Sequence, residues 1–185
     1  MNGYNTHLHM KLKIKPGRVN YVVGSYMNTL KFSSLVCMKE KLVLYIDGDN
    51  AFSPYIIKDL SLRLGFVSAA VLKRIRIARA STYFQMHELI TQSLEDELKK
   101  HKASAVVISS LTKVIMAEAL PRFEALALLH SCYKKLEELA KKYNVTVLVT
   151  EVEGPVGHES GSLNDSILYI ERILRKKNCV EVEQR

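Results

Sequence analysis

A chain of 185 residues, 48% apolar and 25% charged with no low-complexity block, is long enough to bury a core of its own, which excludes a disordered tail. Its 27 Lys and Arg against 19 Asp and Glu leave a net charge of +8, which favours an anionic partner such as DNA through phosphate contacts. No run reaches the roughly 20 uncharged apolar residues of a membrane span, since Asn20, Asn28 and Lys31 interrupt the best candidate, around residues 19–38. The N-terminus shows no secretory h-region, so a cytoplasmic protein without membrane attachment is expected. Cys37, Cys132 and Cys179 stand far apart with no metal-ligand spacing, so neither a disulfide framework nor a zinc site is indicated.

In chain order, residues 10–24 alternate, turn at Pro16-Gly17 and continue apolar through Val19–Val23, the pattern of two strands joined by a turn. Residues 27–38 suit a helix on a sheet. Leu42–Ile46 is a β-rich run ending in Asp47-Gly48-Asp49-Asn50. Ser53-Pro54 opens a helix over 55–64, with Ser53 as its cap and Gly65 as its stop. Leu72–Ile77 is expected to be a strand. Residues 84–100 form an amphipathic helix with Met86, Leu89, Ile90, Leu94 and Leu98 on one face.

Ala105–Ile108 is a further short strand. A long helix is expected over 118–142, with Leu120, Phe123, Leu126, Leu129, Cys132, Leu136 and Leu139 inward and with Glu137–Lys141 and Glu138–Lys142 as i,i+4 pairs. Val145–Thr150 is another buried strand. A glycine-bearing loop over 151–164 then leads to two strand-like segments, 166–173 and 178–183. Strands alternating with helices, the central ones apolar throughout, predict an α/β domain with a mostly parallel sheet flanked by helices and antiparallel C-terminal edge strands. Ligands of such sheets gather at the carboxyl ends of the strands, which directs attention to residues 24–31, 47–50, 109–113 and 150–153.

Those positions carry a specific likeness. LYIDGDNAFSPYIIKDL resembles the strand, loop and helix of archaeal RadA and its relatives, and RIRIARASTYFQMHELI resembles the strand and helix that follow. ASAVVISSLTKVI is similar to the Walker B strand, and LPRFEALALLHSCYKKLEELAKKYNVTVLVTE to the long helix and the strand ending in Thr. Order and spacing together identify the chain as resembling the RecA/RadA recombinase superfamily from about Lys15 onward. The resemblance implies a single RecA-like core over residues 1–185, without the N-terminal helical DNA-binding domain of full-length RadA.

The likeness fails at the residues that handle nucleotide. A P-loop reads GxxxxGK[ST], because glycines let backbone N–H groups wrap phosphates, Lys neutralises them and the hydroxyl holds magnesium. Here Gly24 is kept, but Thr29 and Leu30 stand where the second Gly and the Lys belong, and Lys31 takes the hydroxyl position. Ser109 stands at the Walker B aspartate, and Asp49 at the catalytic glutamate. These six residues are expected to be a vestigial nucleotide site, with no catalytic residues, no metal and no use of ATP or magnesium.

The family contacts DNA through loops after the Walker B strand and after the next strand. The loop over 151–164 has no Lys or Arg, so DNA is expected instead at Arg172, Arg175, Lys176 and Lys177, and at Arg74, Arg76 and Arg79. A non-hydrolysing accessory in recombination or DNA repair follows, with DNA and a RadA-type recombinase or paralogue as partners and self-association as a further expectation. Two rivals stand beside it. IDGDN after an apolar strand also resembles the NYN/PIN-like nucleases, in which Asp47, Asp49 and Glu151 would begin a metal cluster. A purely structural protein–protein adaptor would equally fit an intact core with altered site residues.

Overall fold

Five short runs, rich in β-branched residues, become five parallel strands: β1 (Val19–Val23), β2 (Val43–Asp47), β3 (Ile75–Arg79), β4 (Ala105–Ser109) and β5 (Thr146–Glu151). The computed structural model describes residues 14–117 and 120–151. The 152–164 loop, the two expected C-terminal strands and Arg172, Arg175, Lys176 and Lys177 lie outside them. Sheet order is β1-β5-β4-β2-β3. The register brings the carboxyl ends level: Asp47 lies opposite both Ser109 and Arg79, Ser109 opposite Thr150, and Val23 opposite Glu151.

Side chains alternate along each strand and so feed two cores. Leu44, Ile46, Val106, Ile108, Val147 and Val149 pack with α4 (Tyr83–Glu88), α5 (Leu94–His101), α6 (Leu111–Met116) and α7 (Arg122–Tyr143). Val43, Tyr45, Ala105, Val107 and Leu148 pack with α1 (Met27–Met38), α2 (Pro54–Arg63) and α3 (Ser68–Leu72). Every residue of β4 is buried, as a strand covered on both faces requires.

The α4–α5 helix is continuous through a π turn over Leu89–Ser93. Its buried residues Met86, Ile90, Leu94 and Leu98 recur at every fourth position. On a straight α-helix such a row drifts about 40° per turn, and the wider π turn brings it back toward the sheet. At the end of α2, Gly65 takes a φ of +76°. The N–H groups of Phe66 and Gly65 return to the carbonyls of Ser61 and Leu62, the Schellman arrangement that stops a helix.

Several expectations need correction. Ile14 and Lys15 are not in a strand. They meet β1 through Asn20, whose side chain accepts from the Lys15 N–H and donates to the Lys15 carbonyl. Ser53 precedes α2, but its hydroxyl makes no capping bond; Pro54 at the first helical position is the feature that holds. Leu72 belongs to α3, and β3 starts only at Ile75. The long helix starts at Arg122, behind Pro121 and separate from α6. Phe123 is therefore on the first turn and 72% exposed rather than inward. Lys142 turns from its own helix to Glu95 of α5, 2.7 Å away, and Lys135 joins it at 2.8 Å.

Candidate nucleotide-binding site

The β1–α1 junction is where a RecA-like fold would hold phosphates. Gly24 closes β1 and donates its N–H to the Glu151 carbonyl at 2.9 Å. Helix α1 starts only three residues later. The Ser25 hydroxyl accepts from the Met27 N–H at 3.2 Å, the Ser25 carbonyl from Asn28 at 2.9 Å, and the Tyr26 carbonyl from Thr29 at 3.1 Å. A phosphate cradle turns such N–H groups toward its ligand; here each is already bonded to the chain.

Side chains complete the closure. The Thr29 hydroxyl donates to the Tyr26 carbonyl and accepts from the Tyr45 phenol at 2.9 Å. Tyr45 is packed edge-on to Phe52 with ring centroids 5.1 Å apart, and burial holds its phenol well above the usual tyrosine range. Leu30 has 0% exposure and lies in the core with Val22, Tyr45 and Leu148. Lys31 is only half-buried on the same helix. Thr29 and Leu30 are thus core residues.

Across the sheet, the ends of β2 and β4 are tied through carboxylates and serines. Asp47, 1% exposed, accepts from the N–H groups of Ala51 and Phe52, each at 3.1 Å, and so shapes the turn into α2. Burial raises its pKa, and the neighbouring Asp49 carboxylate adds to the effect. The Ser109 hydroxyl lies 2.9 Å from Asp49 Oδ1 and 3.4 Å from Asp47 Oδ1, and accepts from the Gly48 N–H at 3.2 Å. It has one proton to give, and Asp49 is the nearer acceptor. Ser110 binds the other Asp49 oxygen at 3.2 Å. Arg79 approaches Asp47 at 3.9 Å.

Glu151 sits at the end of β5, buried, and accepts from the N–H groups of Thr112 at 2.6 Å and Lys113 at 3.4 Å at the start of α6. It caps that helix from a neighbouring strand. Among the described residues no three His, Cys, Asp or Glu side chains come together as a metal-ligand set. Asp47, Asp49 and Glu151 instead serve a turn, two serines and a helix terminus, so the acidic cluster expected for a nuclease is not assembled from them; Glu153 lies outside the described residues.

The basic residues of β3 do not form one patch. Arg74 precedes the strand, donates to the Ala70 carbonyl at 3.0 Å and lies 3.6 Å from Glu40. Arg76 and Arg79 are exposed but three positions apart on a strand, hence on opposite faces of the sheet. Arg76 borders a groove of about 310 Å³ between β3 and the Leu89–Glu97 stretch, floored by Ile46, Ala78 and Leu94.

Sequence reasoning passed over Tyr45 and Gly48. Tyr45 reads as one more apolar strand residue, and only the fold sets its hydroxyl under α1. Gly48 carried a usable signal, a glycine between two aspartates: a Cβ there would meet the Ser109 carbonyl at 2.4 Å, so glycine lets β2 and β4 end side by side.

Residues 32–164 match the family model for Rad51, which covers more than half of the chain. The match begins directly after Lys31, so the phosphate-loop positions precede it.

Proposed function

The chain belongs to the Rad51 family, recombination and repair proteins with a RecA-like core, and on that premise we propose that it is a non-hydrolysing accessory of the RadA-paralogue kind that binds DNA, a recombinase partner, or both, without using ATP or magnesium. Leu30 carries the proposal. At the position where a phosphate-binding Lys belongs, a side chain with 0% exposure packs into the core, and a Lys cannot replace it without burying an unpaired charge.

Other observations support the reading. The Ser109 hydroxyl stands where magnesium would be organised and engages Asp49, so the one carboxylate at a catalytic position is already bonded to serines. Partner binding fits the outer edge of β3, which pairs only with β2 in the described sheet. Ile77 on that edge is 45% exposed, its side chain on the sheet face opposite to that of Arg76 and the groove. An extended segment of a recombinase would add a strand there and place an apolar side chain in the groove.

A titration with a fluorescent ATP analogue and magnesium, run beside DNA-binding anisotropy over a salt series, tests the proposal. Salt-sensitive DNA binding that ignores nucleotide, with no saturable nucleotide signal, is expected. Micromolar nucleotide affinity or phosphate release would overturn the vestigial site. Magnesium-dependent shortening of the DNA would transfer the case to nuclease chemistry.

A further inference from the structure

The strands are parallel and level in register, so their amino ends share one edge of the sheet, opposite the Gly24–Glu151 junction. Backbone bonds carry the alignment one residue further. Val43 donates to the Arg74 carbonyl at 2.9 Å, Ser104 to Leu42 at 2.9 Å, Thr146 to Ser104 at 3.2 Å and Val147 to Arg18 at 3.1 Å. Every connection entering this edge brings a cation. Arg18 precedes β1, Lys141 β5, Lys102 β4, Lys39 and Lys41 β2, and Lys73 β3, and all of them are exposed.

Little acid offsets these charges. Among the described residues, the salt bridges near this edge join Arg74 to Glu40 at 3.6 Å and Lys142 to Glu95 at 2.7 Å, and none takes up those six cations. Glu137 stands with Arg18 and Lys141 around a hollow of about 630 Å³, which lowers the potential at the β1 end. In the connecting residues 39–42, 73–74 and 102–104 the one acid is Glu40, held by Arg74. Residues 1–13 hold Lys11 and Lys13 and no acid, and the chain beyond Glu151 leaves from the opposite edge. Helix C-termini favour cations, and Lys39, Lys73 and Lys102 cap α1, α3 and α5; the parallel register, not that local preference, sets them in one line. Lys102 has a φ of +49°, a left-handed position that ordinarily goes to Gly or Asn, so the turn itself does not call for a lysine.

We propose that this amino-end edge, centred on Lys41, Lys73 and Lys102, is a sequence-independent binding face for the backbone of duplex DNA. The proposal rests on the DNA-binding reading above and gives it a place. Strands lie about 4.8 Å apart, so the row from β4 to β3 runs about 10 Å and the whole edge about 19 Å. Duplex DNA carries one charge per about 1.7 Å of its axis. Lysines are point charges without a planar fork, suited to phosphates rather than to base edges. Single strands are held by rings on which successive bases stack; the exposed aromatic near this end is Phe66, before α3, and one ring makes no platform. The length of the strands, about 16 Å, separates this face from the closed nucleotide junction, which accounts for binding that ignores nucleotide.

The test is fluorescence anisotropy of the full chain over a salt series, with a short labelled duplex and a single strand of the same length. The variant combining Lys41→Gln, Lys73→Gln and Lys102→Gln should bind the duplex about tenfold more weakly, with the log–log salt slope reduced by about 3. A charge-matched variant, Lys58→Gln, Lys113→Gln and Lys134→Gln, removes three exposed helix lysines away from the edge and should keep most of the affinity. Lys102→Gly alone suits the left-handed backbone, so it should fold at least as stably as the unaltered chain and still lower the slope by about 1. Preference for the duplex, with the loss confined to the edge variants, supports the face. Equal loss in the charge-matched variant, unchanged binding in the edge variant, or preference for the single strand overturns the face and leaves DNA binding standing. No binding by the unaltered chain removes the DNA reading and the face with it.

Discussion

The Tyr45 phenol donates a hydrogen bond to the Thr29 hydroxyl at 2.9 Å, joining the middle of β2 to the first turn of α1 within the core. Thr29 passes the bond on to the Tyr26 carbonyl, so the junction is closed by a chain of buried hydroxyls. Tyr45→Phe removes one link and leaves Thr29 buried with an unmet acceptor. A loss of about 1 kcal/mol in urea unfolding is expected, with no gain in nucleotide binding.

Leu30→Ala distinguishes a core residue from a ligand-facing one. A side chain with no exposure, truncated to a methyl group, should cost about 2–5 kcal/mol, read as a lower urea midpoint at unchanged slope. A position facing an open phosphate cradle would tolerate the change with little loss.

Gly48→Ala should be costly for a steric reason alone. The new methyl would meet the Ser109 carbonyl at 2.4 Å and Met86 Cε at 2.9 Å. The ends of β2 and β4 must part, weakening the Ser109 bonds to Asp49 and Gly48. A destabilisation of about 1–3 kcal/mol is expected, measured by thermal or urea unfolding.

Glu95 ties α5 to α7 by accepting from Lys135, Lys142 and Tyr143 at 2.8, 2.7 and 2.9 Å. The Lys135 and Lys142 ammonium groups hold its carboxyl well below the ordinary glutamate range. A depressed carboxyl stabilises the fold above its unfolded pKa and loses that contribution as pH falls through the folded value. Glu95→Gln should therefore lower Tm at neutral pH, with the difference from the unaltered protein shrinking in strong acid and in high salt.

Ile77→Asp probes the β3 edge. The side chain is 45% exposed, so thermal stability should change little. Binding to a RadA-type recombinase, followed by sedimentation or calorimetry, should fall at least tenfold. Unaltered affinity would place the partner elsewhere.

Much of the architecture was legible in the residues themselves. Continuous apolar runs such as Leu42–Ile46 and Ala105–Ile108 suit strands of a sheet covered on both faces. Met86, Ile90, Leu94 and Leu98 make one helical stripe whatever surrounds them. These properties are local in chain position, set by side-chain period, turn chemistry and residue type.

The remaining features depend on residues far apart in the chain. Whether Glu151 joins a metal cluster or caps α6 is decided by where β5 ends relative to β4, because an N–H at 2.6 Å claims the carboxylate first. Arg74, Arg76 and Arg79 look like one basic cluster in one dimension, yet strand geometry separates them onto different faces and Asp47 and Glu40 engage two of them. Tyr45 reads as an ordinary core residue until the sheet register sets it beneath Thr29. Composition and period set which segments fold and which faces they bury; which polar groups meet is settled by the packed fold, since a hydrogen bond forms within about 3 Å and the chain order says nothing of that distance.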